Sequence, residues 1–332
     1  MILESMAKKI RLSSEEVEKY SAERVRRYGV DGVLPAEFFP AYQWLRQGDW
    51  TREFLVFGGD VVLAYKKIRI FSAQYNRLEG LPLSLSGDVE KERQALDIVL
   101  KCGWLHKARV CQQEVELLQT RFGLSAVQEA AVANFWYDTS KRYERTLKSS
   151  WRPRSVLNWA KTAGSLEWRS PTYKDQDGIA RLYDSWKEKK QLEKQTVMFK
   201  ELYGSLTARH FPGSDKLDVS ILAWNDQAVA FVVHLISDNS AHLLANISVS
   251  NTTFDFGCPP KLKPYVGQIV THFSSKSFSK RGIQTGFLGY CEENDPLIKY
   301  KRSLADGETK LFLVDICKPT EKKKQETPRG LI

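Results

Sequence analysis

The chain has 332 residues, which suits two domains of about 150 residues each, and its 42% hydrophobic and 27% charged residues exclude a disordered protein. The net charge of +10 favours polyanionic partners such as nucleic acid or phosphorylated compounds, although solubility would also account for it. No apolar run approaches the roughly 20 residues of a membrane helix, and the N-terminus lacks the apolar core of a signal peptide, so we expect a cytoplasmic protein.

The first half predicts the order strand, strand, strand, helix, strand, helix, strand. EFLVF and VVLAYKKIRIF flank a Gly-Gly-Asp turn and predict a hairpin. An extended piece over 75–85 and a helix over 88–103 follow. LHKARVC predicts a strand, VELLQTRFG a short helix, and AVQEAAVANFWY a closing strand.

The second half predicts the same order. LDVSILAW, QAVAFVVHLI and AHLLANISVS are typical of strands, and a helix over 260–281, the strand IQTGFLGY, a helix over 295–305 and the strand TKLFLVDI complete the series. Residues 139–210 between the two blocks predict helices, the first of them interrupted at Pro153 and another over 194–209. The pattern therefore predicts an α/β chain of two mixed-sheet units joined by a helical segment.

Three boundaries follow from this pattern. We expect an N-terminal domain over 1–138, a C-terminal domain over 139–317 that begins with basic helices, and a disordered basic tail over 318–332.

Positive charge is concentrated between the two units. Residues 140–163 contain a single acid, Glu144, and a run of bases: Lys141, Arg142, Arg145, Lys148, Arg152, Arg154 and Lys161. Arg152 and Arg154 flank Pro153 at a predicted helix start, where their guanidinium groups could bind a phosphate. A solvated basic helix, with Trp151 and Trp159 packed between the domains, explains the same residues.

Metal chemistry is not predicted. The five cysteines form no CxxC pair, and the histidines lack the spacing of a zinc motif such as HExxH. We therefore expect no bound metal and no disulfide framework.

The predicted element order resembles the GNAT acyltransferase fold, and two copies in one chain resemble the tandem-GNAT transferases. YERTLKSSWRPRSVLNWAKTAGSLEW is similar to the basic helix of the Fem-type peptidoglycan-bridge aminoacyltransferases, and NDPLIKYKRSLADG is similar to their closing motif. YDSWKEKK lies where that family and the phosphatidylglycerol lysyltransferase C-terminal domain have a Trp-centred helix. The resemblance implies a GNAT-like unit in each half, a degenerate first unit, and an active cleft in the second.

The resemblance also suggests site residues. It places Lys301 beside the cleft on the last helix, with Tyr300 before it, and makes Trp186 a candidate for substrate binding. Tyr290, at the end of a predicted strand, is a candidate proton donor, and Asp255 a candidate general base. A surface lysine, packed aromatic residues and a turn-forming aspartate are the alternatives.

The donor is predicted from a departure from the ordinary acetyltransferases. Those enzymes bind the pyrophosphate of coenzyme A on backbone N–H groups before a helix, whereas here Pro259, Pro260 and Pro264 remove three such donors. This disfavours coenzyme A, and the resemblance to the Fem-type and lysyltransferase families then implies an aminoacyl-tRNA donor and no bound cofactor, with the acyl group passing to an amine or hydroxyl acceptor.

Two alternatives remain open at this point. One is an acyl-coenzyme A-dependent N-acetyltransferase acting on a sugar, a peptide or a modified nucleobase. The other is a non-catalytic protein that binds nucleic acid, such as tRNA, through the basic helix.

Overall fold

The computed structural model describes residues 7–10, 12–39, 52–70, 73–101, 107–147, 152–190, 214–237, 239–292 and 295–317. These ranges contain eight α-helices and thirteen β-strands. The helices are α1 (Ser14–Tyr28), α2 (Val89–Lys101), α3 (Gln112–Thr120), α4 (Thr139–Leu147), α5 (Arg152–Ala163), α6 (Gln176–Lys190), α7 (Val266–Lys280) and α8 (Ile298–Leu304).

The strands of the first unit are β1 (Ala7–Ile10), β2 (Arg52–Phe57), β3 (Val61–Ile70), β4 (Ala73–Glu79), β5 (Leu83–Ser84), β6 (Lys107–Cys111) and β7 (Ser125–Asp138). Those of the second are β8 (Leu166–Arg169), β9 (Leu217–Trp224), β10 (Gln227–Ser237), β11 (Ser240–Ser248), β12 (Thr285–Glu292) and β13 (Gly307–Cys317). The α/β class and the repeated element order predicted from the sequence are confirmed.

All the strands belong to one mixed sheet with the order β1-β2-β3-β4-β6-β13-β7-β12-β11-β10-β9-β8, and β5 pairs with β3 beside this path. The order reads the same outward from the centre on both sides, since β13 leads to β6, β4 and β3 while β7 leads to β12, β11 and β10. The β4–β6 and β11–β12 pairs are parallel, and the other pairs are antiparallel. The two units are therefore related by an internal pseudo-twofold arrangement.

The two units exchange their last strands. β7, which closes the first unit in sequence, pairs with β12 of the second unit, while β13 pairs with β6 of the first. β7 and β13 then pair with each other at the centre of the sheet. The sequence does not predict this exchange, because either strand could pair with its own unit.

Helix α1 is absent from the sequence prediction. Its start has a capping box, in which the Ser13 hydroxyl accepts from the Glu16 N–H at 3.3 Å and the Glu16 carboxylate accepts from the Ser13 N–H at 2.7 Å. The helix predicted around Pro153 is resolved into α4 and α5. The predicted helix over 194–209, the tail over 318–332 and Trp151 lie outside the described residues.

The carboxyl ends of β4 and β6 are joined by a buried ion pair. The Arg24 guanidinium donates to Glu114 at 2.9 Å and to the Gly32 carbonyl at 3.1 Å, and Arg24 and Glu114 are both buried. A Cβ on Gly80, where φ is +105°, would overlap with this guanidinium, so the close approach requires glycine. Charged side chains therefore fill this end of the first unit.

The corresponding strands of the second unit separate. β11 and β12 pair over Ser240–His242 and Thr285–Phe287, although the strands continue to Ser248 and Glu292. Beyond these pairs the strands diverge, and the space between them is a cavity.

Candidate active site

The cavity has a volume of about 580 Å³ and opens between β11, β12, α7 and α8. Most of its wall is apolar or backbone, as is usual for a ligand site. The described residues that line it are Leu243, Leu244, Ala245, Asn246, Ser248, Ser250, Asn251, Pro264, Gly267, Gln268, Thr271, Leu288, Gly289, Tyr290, Leu297, Tyr300, Lys301 and Leu304.

Helix α8 places Lys301 on the cavity wall. Leu304, one turn further along, is buried with Phe135 and Leu288 and fixes the helix against the sheet. The Lys301 ammonium donates to the carbonyl oxygen of Tyr290 at 3.1 Å. Gly289 adopts a φ of +81° next to it, and a Cβ there would lie 3.6 Å from the Lys301 nitrogen. The diverging end of β12 therefore binds the lysine through its backbone.

Tyr300 presents its hydroxyl to the first turn of α7. Its residue surface is 38% exposed, but a Cβ built on Gly267 would lie only 2.6 Å from its hydroxyl oxygen. Burial of the hydroxyl raises the pKa of Tyr300 to about 12, and the nearby positive charge of Arg142 opposes that shift. The phenol is therefore neutral near pH 7 and can donate a hydrogen bond.

Asn246 on β11 contributes a polar group that the sequence analysis missed. Its side-chain oxygen is buried and has no hydrogen-bond partner among the described residues. A neighbouring polar group, the Thr271 hydroxyl, already donates to the Gly267 carbonyl at 3.1 Å. Buried polar atoms without a partner are rare, so the Asn246 amide is available to a ligand. The one signal in the sequence is an asparagine within the apolar stretch LLANI of the predicted strand.

The described lining includes no aspartate, glutamate or histidine. It supplies an ammonium, a neutral phenol and amides instead. Such groups stabilise a carbonyl oxygen that becomes negative, but they do not accept a proton at neutral pH.

Tyr290 lines the cavity, yet its ring packs against the first unit. The Arg109 guanidinium of β6 lies 5.1 Å from the ring centre. The Tyr290 carbonyl, rather than its hydroxyl, is the group that contacts Lys301.

Asp255 lies in a separate depression. This depression has a volume of about 700 Å³, includes Arg181, Glu188 and Phe254, and is formed by α6 and the loop after β11. Asp255 is exposed there and forms an ion pair with Lys263. The structure therefore does not bring the predicted base to the cavity.

The predicted substrate-binding residues outside α8 also lie elsewhere. Arg152 begins α5, and its side chain lies outside the described part of the chain. Arg154 is exposed on the same helix and is not among the described lining residues. Trp186 packs half-buried against the large core, with its ring 6.0 Å from that of Tyr183.

The basic helices contact α7, the helix that forms one wall of the cavity. The ring of His272 on α7 lies 5.5 Å from that of Tyr143 on α4. Burial and, to a smaller extent, the charges of Lys276, Lys161 and Arg142 together lower the pKa of His272 to about 4. A cationic cluster, comprising Arg142, Lys161 and Lys276, therefore acts on a neutral histidine.

In the described ranges, no helix is long and apolar enough to cross a membrane. Within the same ranges, no group of three or more His, Cys, Asp or Glu residues could hold a metal ion.

The fold was compared with known proteins. No family model matches the sequence, and no curated protein matches it. A solved protein of unknown function from Bacteroides thetaiotaomicron VPI-5482 is similar, with a TM-score of 0.65 and 13% identity over 94% of this chain and 100% of that chain.

Two further solved structures are similar. FemX has a TM-score of 0.58 and 9% identity, covering 92% of this chain and 96% of that chain. The C-terminal domain (DUF2156) of a putative lysylphosphatidylglycerol synthetase from Agrobacterium fabrum has a TM-score of 0.54 and 12% identity, covering 91% of this chain and 92% of that chain. The chain therefore has the tandem GNAT-like fold of FemX and of the lysylphosphatidylglycerol synthetase domain, the kinds of protein that its sequence resembles.

Proposed function

We propose that the chain is an acyltransferase of the tandem-GNAT type. It transfers an aminoacyl or other acyl group from an activated donor, such as aminoacyl-tRNA, to an amine or hydroxyl acceptor. The observation that carries this proposal is the cavity between β11 and β12, whose lining includes Lys301, the neutral Tyr300 and Asn246, with a side-chain oxygen that has no hydrogen-bond partner among the described residues.

The lining is suited to attack on an ester. The acceptor nitrogen forms a bond to the ester carbonyl carbon, and the carbonyl oxygen becomes an oxyanion. Lys301 and Tyr300 stabilise this charge by donating hydrogen bonds to it. The bond to the ribose oxygen of the donor then breaks, and the ribose oxygen takes the proton that the nitrogen loses.

The loop before α7 supports a donor other than coenzyme A. Besides its prolines, three of its other N–H groups bond within the loop, because Leu262 and Lys263 donate to the Pro259 carbonyl and Tyr265 donates to the Leu262 carbonyl. A pyrophosphate would find few of the backbone donors that bind it in such loops. The cationic cluster and the exposed Arg154 favour a polyanionic donor.

The test is turnover with competing donors. The purified protein is incubated with radiolabelled aminoacyl-tRNA or acyl-coenzyme A and a panel of amine and hydroxyl acceptors. We expect label transfer from aminoacyl-tRNA and none with a Lys301→Met variant. Transfer from acyl-coenzyme A alone would overturn the donor assignment. Salt-sensitive tRNA binding without any turnover would instead indicate the non-catalytic alternative.

A further inference from the structure

Arg142 is a buried cation that the proposed chemistry does not use. It lies on α4 and is 8% exposed. Its Nε atom is buried and has no hydrogen-bond partner, and no carboxylate of the described residues forms an ion pair with it. Asp306 is the nearest candidate, but its carboxylate is bound by Arg145 and by the backbone N–H of Asp138.

Burying the unpaired Arg142 guanidinium lowers the stability of the folded protein unless a ligand neutralises its charge. Removing a charge from water costs several kcal/mol, and buried charges in proteins are normally paired. Burial lowers the pKa of Arg142 below its usual value, but an arginine remains protonated at neutral pH. The unpaired guanidinium therefore calls for an anion that is not part of the protein.

The surroundings of Arg142 indicate where that anion would lie. The charge of Arg142 acts on Tyr300, whose hydroxyl lines the cavity, and on Tyr137. Arg142 also acts on His272, together with Lys161 and Lys276. Arg142 is thus the buried member of the cationic cluster and one whose charge acts on Tyr300 of the cavity wall, although Arg142 is not itself among the described lining residues.

We propose that Arg142 forms a phosphate-binding subsite next to Tyr300. A guanidinium binds two oxygens of a phosphate through parallel N–H donors, and the neighbouring lysines favour a group with more than one negative charge over a carboxylate. The assignment rests on the proposed function only for the identity of the substrate that carries the phosphate. Both an RNA donor and a small phosphorylated acceptor have this chemistry.

Calorimetric titration with pyrophosphate at constant ionic strength tests the subsite. We expect saturable binding by the wild-type protein and binding roughly 10- to 100-fold weaker in Arg142→Met, the loss expected for charged hydrogen bonds. Arg142→Lys keeps the charge without the two-pronged geometry and should fall between them. Arg281→Gln is the matched control, because it removes an exposed cation that pairs with Asp218 at 3.2 Å and should bind like the wild type.

Thermal unfolding of the ligand-free proteins separates binding from folding. If the guanidinium awaits a ligand, Arg142→Met should be as stable as the wild type or more stable, because an unpaired buried charge has been removed. A large loss of stability in Arg142→Met, failure to fold included, would overturn the proposal, as would unchanged affinity for pyrophosphate or no saturable binding by the wild type.

Two further titrations identify the phosphate. Acetate binding as tightly as pyrophosphate would overturn the choice of phosphate. A short RNA that competes with pyrophosphate would support a nucleic-acid source, and its failure to compete would support a small phosphorylated molecule. Because these readouts are binding rather than turnover, they can fail while the transferase proposal stands, and the reverse is also true.

Discussion

Lys301 and Tyr300 are adjacent in sequence but differ in how the protein holds them. The backbone carbonyl of Tyr290 accepts one hydrogen bond from the Lys301 ammonium. The Tyr300 hydroxyl instead faces Gly267 on α7, a residue without a side chain. An ammonium has three N–H donors, so Lys301 keeps capacity for a substrate oxygen. The resemblance of NDPLIKYKRSLADG to the Fem closing motif was sufficient to select both residues.

Replacing Lys301 by methionine should reduce kcat by about 10²- to 10³-fold, the usual cost of removing one oxyanion-stabilising donor. The neighbouring Lys299→Met variant is the control, since Lys299 is exposed on the same helix and is not among the described lining residues. Steady-state transfer measures the effect, and circular dichroism verifies the fold. Wild-type turnover by Lys301→Met would remove the lysine from the mechanism.

Asn246 and Arg142 illustrate what the residue types alone do not reveal. Arg142 is one of several bases in residues 140–163, and only its burial without a partner distinguishes it from Arg145, which pairs with Asp306. Pairing and burial depend on which elements meet in space. Neither can be inferred from a single sequence.

Three buried histidines make stability depend on pH. Burial lowers the pKa of His234 to about 3 and those of His242 and His272 to about 4, against 6.5 for an exposed imidazole. The unfolded chain therefore binds protons that the folded protein excludes, and stability is complete above about pH 6.5 and falls as the pH decreases toward 4. Each histidine should contribute a slope of up to about 1.4 kcal/mol per pH unit.

Urea unfolding between pH 7.5 and pH 4.5 measures this slope. In His242→Gln the slope should decrease by close to one proton. An identical slope in the variant would show that the imidazole is protonated within the folded protein.

Helices α7 and α8 both line the cavity. The distance between them depends on a glycine at the point where they meet. Gly267 lies in the first turn of α7, where the missing Cβ leaves room for the Tyr300 hydroxyl. The sequence predicts both helices, with ends that differ by a few residues from those observed. It does not predict their contact, because the contact depends on how both helices pack on the diverging strands.

Gly267→Ala should separate stability from activity. Alanine favours a helix by about 0.5–1 kcal/mol over glycine, so the variant should unfold at the same or a higher urea concentration. Its Cβ should displace the Tyr300 hydroxyl and reduce kcat to the level of a Tyr300→Phe variant.

The double variant is the control for this prediction. If Gly267→Ala acts through the phenol, combining it with Tyr300→Phe should cause no further loss of kcat. Additive losses would show that the alanine disturbs the cavity in another way.

The sheet joins the two units more tightly than a linker would. β7 lies between β13 and β12, both of the second unit, and β13 lies between β6 and β7, both of the first. Separation of the units would break backbone ladders on both sides of each exchanged strand. The two units differ at the carboxyl ends of their parallel strands. The Arg24–Glu114 ion pair fills this place in the first unit, whereas the second unit has the open cavity there.

A cut between the units should therefore not release them. A protease site inserted between α4 and α5 would leave β7 on one fragment and β13 on the other. We expect the cleaved protein to elute as one species and to unfold in a single transition by circular dichroism and tryptophan fluorescence. Two transitions, or separation of the fragments without denaturant, would contradict the shared sheet; the uncut protein with the same insertion is the control.

The sequence by itself determined the α/β class and the repeated element order, and its closing motif made Tyr300 and Lys301 candidates, because hydrophobic periodicity, turn residues and a local motif are properties of neighbouring residues. The tertiary structure decided the strand exchange, the filled first unit, the open second unit and the removal of Asp255 and Trp186 from the cavity. These features depend on contacts between residues far apart in the chain. The free energies of these contacts depend on which side chains are buried and paired in the folded protein, and a local sequence pattern does not predict that.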